Sequence, residues 1–172
     1  MTWCLVGSEM CIRDSTTPLR DRFANLTRIA EHRHRGIFTV TEEACVAVLI
    51  ATTNGPVEVQ RITEEDPDID SVVCLAGKAK PLPISGAYHD FVRQPSGVLQ
   101  RDFGHAAYRV DLSATIEDGY SWQFGLYLAH ALHAAGRLAS TIDDATHIMF
   151  ATGEVNIDLD VLGVGHVSAK LE

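Results

Sequence analysis

The chain is short of basic residues. Lys and Arg number 14 against 23 Asp and Glu in 172 residues, for a formal net charge of −9. A surface of that sign repels phosphates, so nucleic acid is not expected as a partner. The basic residues form no dense cluster; "HRHRG" at 32–36 is the most basic patch. Long apolar runs are also missing. None approaches the roughly 20 residues that cross a bilayer, so no membrane partner is expected and a cytoplasmic location is. There is no CxxC, no HExxH and no GxxxxGK[ST]. Metal and nucleotide sites therefore have no support in the chain, and no cofactor of its own is expected. Repeats and low-complexity tracts are absent. What remains is an ordinary globular composition, 46% hydrophobic and 22% charged, in a length that suits one domain.

The two ends stand apart. "MTWCLVGSEMCIRDS" (1–15) resembles a translated sequencing-adapter read-through, and on that reading it lies outside the fold. A signal peptide is excluded because the basic n-region is lacking and Glu9 interrupts a short apolar run. With Cys4 and Cys11 set aside, Cys45 and Cys74 remain, both in apolar strand-like runs that read as buried thiols of a reducing compartment. At the other end the chain stops at "VSAKLE", in what reads as the first turn of a helix. The expectation is an internal fragment, incomplete at its C-terminus and unstable alone. The domain reading is 1–15 non-native, 16–44 an N-terminal helix and linker, and 45–172 the folded domain.

Apolar spacing supplies the elements. Leu19, Phe23, Leu26 and Ile29 share a helix face within 18–34, and Gly36 stops it. "CVAVLIATT" (45–53) and "VEVQRIT" (57–63) flank Asn54-Gly55 and predict a hairpin. "SVVCLAG" (71–77) and "AAYRVDLSATI" (106–116) read as strands, and 87–94 as a short helix. Phe124, Leu128, Leu132 and Ala135 predict the main helix over 121–138. Strands follow in 144–154 and 161–167. Strands clustered ahead of the main helix favour an α+β class with antiparallel-type pairing.

Three segments carry the functional argument: "EDGYS" (117–121), "ATGE" (151–154) and "VLGVGHVSAKL" (161–171). Their order and spacing resemble the proteolytic domain of the Lon family, whose pattern runs K-D-G-P-S-A-G, an apolar helix, T-G-E, then V-L-P-[IV]-G-G-x-x-x-K. The resemblance covers about 106–171 well and 45–76 weakly. It implies a ribosomal protein S5 domain 2-like fold. It places the nucleophile on Ser121, the lysine base on Lys170, and the T-G-E threonine on Thr152. Asp118, Gly119, Gly153 and Glu154 shape the site. It further implies a polypeptide substrate, a homo-oligomeric ring and an ATPase in another domain or partner, through which alone ATP and Mg would enter. The chain departs from the pattern where Trp122 and Gln123 replace small residues, which bears on the oxyanion side. Tyr120, Gly163 and His166 are further departures. The alternative is a Lon-like module that has lost catalysis and serves assembly or binding. A third possibility is an unrelated α+β binding domain.

The chemistry fits the residue types. A serine hydroxyl needs a base, and lysine serves only when burial lowers its pKa from about 10.4. Lys170 follows the apolar "GVGHVSA". The start of a helix offers N–H groups to an oxyanion. Taken singly, Ser121 reads as a helix N-cap and Lys170 as a surface lysine. His130 and His133, three apart, offer a weak zinc pair, and His147 or His166 with Asp143 or Asp144 a conceivable triad.

Overall fold

A computed structural model describes residues 2–6 (backbone only), 45–116 and 119–162. The expected helix over 18–34, and Asp118, His166 and Lys170, lie outside the described residues.

Strand β2 (Val46–Thr52) and strand β3 (Gly55–Glu64) form the expected hairpin, in the antiparallel register Thr52↔Gly55 to Val48↔Val59. The turn sits one residue earlier than expected: Thr53 and Asn54 are its two central residues, and Gly55 opens β3. The Thr52 hydroxyl sets this position, donating to the Gly55 carbonyl at 2.6 Å and accepting from the Asn54 N–H at 3.2 Å. Gly55 takes φ +112°, which a side chain would resist.

Beyond the hairpin come β4 (Val72–Leu75), α1 (Ser85–Val92), α2 (Val98–Phe103) and β5 (Tyr108–Leu112). Helix α3 (Gln123–Ala134), β6 (His147–Thr152), β7 (Glu154–Val155) and β8 (Val161–Leu162) follow. With β1 (Thr2–Val6) the main sheet runs β1-β6-β2-β3-β5-β4, and β7-β8 make a separate pair. The α+β class holds, but antiparallel pairing does not prevail. β6 crosses over by way of α3 to lie parallel to β2, and β4 runs parallel to β5. β1 lies parallel to β6 on its outer side. Apolar strands buried on both faces accept parallel neighbours: in β2, Val48 and Ile50 face the helices, while Ala47, Leu49 and Ala51 are buried on the opposite face.

Helix α1 begins two residues before the expected 87, because Ser85 Oγ ties its first turn to both the N–H and the carbonyl of Val73. Helix α2 was not expected; it is delimited by Gly97 and Gly104, both in the left-handed region. Helix α3 is shorter than 121–138. Gly136 (φ +66°) ends it, and the Arg137 N–H bonds back to the Leu132 carbonyl at 2.8 Å. Residues Arg137 and Ala139 then pair with Val46 instead of continuing the helix. The core between sheet and helices is centred on Trp122, Tyr88, Phe91, Leu126 and Leu128.

Candidate functional site

Ser121 precedes α3, in a turn that opens at Gly119 (φ +85°). The cap position falls on Trp122, one residue further on, and no side chain caps the helix there. Ser121 is half-buried. Its backbone carbonyl accepts the Gly153 N–H at 2.8 Å, and the Gly153 carbonyl accepts the Phe124 N–H at 3.0 Å. Gly153 is thus held between the two sides of the helix start. The fit is close: a Cβ on Gly153 would stand 2.6 Å from Val161 Cγ1 and 3.3 Å from Phe124 Cβ.

The neighbouring residues complete the arrangement. Thr152 is fully buried at the end of β6. Glu154 opens β7 and pairs with Leu162 of β8, as Val155 pairs with Val161. The "GYS", "TGE" and "VL" portions of the three motif segments, up to 43 residues apart in sequence between Gly119 and Leu162, therefore meet at one end of α3.

Trp122 and Gln123 are turned into the fold, tied by their side chains to the backbone of Gly119 and Val155 respectively. The indole is fully buried, donates Nε1–H to the Gly119 carbonyl at 2.6 Å, and meets Phe91 and Tyr88 edge-on. Gln123 is buried as well, and its Oε1 accepts the Val155 N–H at 2.9 Å. The two large residues fill buried space beside the start of α3. The Gln123 and Phe124 amides are spent on the Tyr120 and Gly153 carbonyls. Among the described residues, the Ser121 and Trp122 amides have no backbone acceptor. The role of Gln123 as a tie was not read from the sequence. Its signal is a lone carboxamide at the head of the largely apolar "QFGLYLAHAL".

Of the two histidine triad alternatives, only the one with His147 falls among the described residues, and it is displaced. His147 begins β6, five residues from Thr152, about 16 Å at strand rise. Asp144 is committed to Thr141 within its own loop, with Oδ2 accepting from Oγ1 at 2.7 Å. A Ser121–His147–Asp144 triad is therefore ruled out by position. His130 is enclosed in the core, with Nε2 at 2.8 Å from the Tyr88 hydroxyl. Burial, and then the nearby His133, lower its pKa to about 3. Burial raises the Tyr88 pKa. A zinc pair with His133 has no third ligand: among the described residues no group of three His, Cys, Asp or Glu side chains could hold a metal ion. None of the described helices is long and apolar enough to cross a membrane. In comparisons with known proteins, no family model matches the chain, and no curated protein or solved structure matches it.

Proposed function

We propose that the chain is a divergent Lon-like proteolytic domain with the S5 domain 2-like fold, a serine peptidase in which Ser121 is the nucleophile and Lys170 its base. The observation behind this reading is the meeting of the Ser121 turn, Thr152–Gly153–Glu154 and the Val161–Leu162 strand at the start of α3. Segments distant in sequence that resemble one family's site are neighbours in space.

In this mechanism a neutral Lys170 amine takes the Ser121 proton as Oγ attacks the peptide carbonyl carbon. The tetrahedral oxyanion is held by the Ser121 and Trp122 amides, where the positive end of the α3 dipole also acts. Collapse breaks the C–N bond, Lys170 returns its proton to the leaving amine, and water then hydrolyses the acyl ester. The substrates are polypeptides. The working assembly is a homo-oligomeric ring served by an ATPase domain or partner.

The alternative, a non-catalytic module of the same fold, draws support from the amides of Gln123 and Phe124, which are occupied by backbone carbonyls. The test is covalent labelling by a fluorophosphonate. Labelling of Ser121 that is lost in Ser121→Ala and falls at least about 100-fold in Lys170→Met is the expected result, given the usual contribution of a general base. A folded chain that takes no label, or takes it on another serine, decides against the peptidase.

A further inference from the structure

We infer that Gln123 is a positioning residue for the Ser121 site, a role that rests on the peptidase reading above. Strand β7 has only two residues and one partner strand, β8. Such a pair has little stability of its own. Where β7 lies relative to α3 sets how Thr152–Gly153–Glu154 meets the Ser121 turn. Three hydrogen bonds fix it: Gly153 N–H to the Ser121 carbonyl, Phe124 N–H to the Gly153 carbonyl, and Val155 N–H to Gln123 Oε1.

The first two are backbone bonds and do not depend on residue type. The third is a side-chain bond, and it is the one that reaches past Gly153 into β7. It is buried, so losing it leaves the Val155 N–H without a partner away from water. The far end of the β7–β8 turn has a separate tie. Arg101 Nη1–H donates to the Ile157 carbonyl at 2.6 Å, and Arg101 Nε–H to Asp102 Oδ1 at 3.0 Å. Asp102 Oδ2 in turn accepts the Tyr127 hydroxyl at 3.0 Å. Gln123 holds the base of the pair and Arg101 the tip, so loss of Gln123 frees the end nearest Ser121 while the tip stays fastened.

The experiment uses the whole chain and reads two quantities: hydrogen exchange at the Val155 amide, and the fluorophosphonate labelling rate at Ser121 as a function of pH. Gln123→Asn keeps the carboxamide but is one methylene too short. Gln123→Glu keeps both reach and acceptor. Gln123→Met, of similar length but without the acceptor, repeats the Asn test if that variant does not fold. We expect Asn or Met to speed Val155 exchange and to slow labelling, each about 5-fold or more for a buried bond. We expect Glu to restore both at pH values where wild type is active. Unchanged exchange in Asn and Met overturns the tie. Faster exchange with unchanged labelling overturns the positional role. A wild-type chain without label at Ser121 overturns the peptidase reading and the positional role with it, and is told apart because the Val155 exchange result stands independently.

Discussion

His130 is the residue whose environment departs furthest from solution. It is fully buried on α3, stacks near Tyr88 and Phe103, meets Tyr108 edge-on, and bonds the Tyr88 hydroxyl. With its pKa lowered from 6.5 to about 3, the folded chain keeps the imidazole neutral where the unfolded chain protonates it. The unfolded state then binds more protons, so stability is full above pH ~6.5 and falls as pH drops toward ~3. At ~1.4 kcal/mol per pKa unit, the loss at the acid end is on the order of 5 kcal/mol. Urea unfolding from pH 7 to pH 4 should show it. His130→Gln still offers Tyr88 a partner but cannot titrate, and should flatten that slope at some cost in packing. An equally steep slope in the Gln variant would locate the acid sensitivity elsewhere. Tyr88→Phe should cost about 1–3 kcal/mol at neutral pH, because the imidazole nitrogen is then left unpaired.

At the scale of elements, two glycines set how closely α3 approaches its neighbours. A Cβ on Gly125 would lie 2.7 Å from Ile50 Cγ1, and one on Gly153 would meet Val161. Gly125→Ala tests which effect is larger. Helix propensity favours alanine by about 1 kcal/mol. Overpacking costs about 1–3 kcal/mol, and Ile50 is a stiff β-branched residue with no exposed surface. The expected net result is a loss of about 1 kcal/mol in denaturant unfolding, and a more stable Gly125→Ala would show that Ile50 yields easily. Gly153→Ala should act on the site more than on the fold. Val161 must move, and β8 with it, so Ser121 labelling should fall by more than the change in stability explains.

Across the whole molecule, what was legible in the sequence was what depends on neighbours in the chain. The hairpin could be read from two apolar runs about a tight turn, and α3 from its face of Phe124, Leu128 and Leu132. Pairing between distant segments could not. Nothing in "HIMFAT" says that β6 runs parallel beside β2, or that Val46 is bridged to Leu138 beyond the end of α3. Helix α2 has six residues, too few for a periodic signal. Of the candidate site, the sequence offered only the order of the motif segments, not that Ser121, Gly153 and Val161 are neighbours. That Trp122 points into the core depends on Tyr88 and Phe91, more than thirty residues upstream.

The last whole-molecule question is whether the sheet requires its outermost strand. β1 runs beside β6 from Thr2↔Ile148 to Val6↔Thr152, so its end lies next to the candidate site. An adapter-derived segment has no selected role in the fold. On that reading, β6 is already secured along its inner side by five register pairs with β2. Removing residues 1–15 should therefore leave the unfolding midpoint within about 2 °C of the full chain's, since a change of 1 kcal/mol moves the midpoint of a domain this size by roughly 2–4 °C. Labelling of Ser121 should persist. A fall of more than about 5 °C, or the loss of labelling in the shortened chain, would make Thr2–Val6 a working strand of the domain and its adapter-like sequence a coincidence.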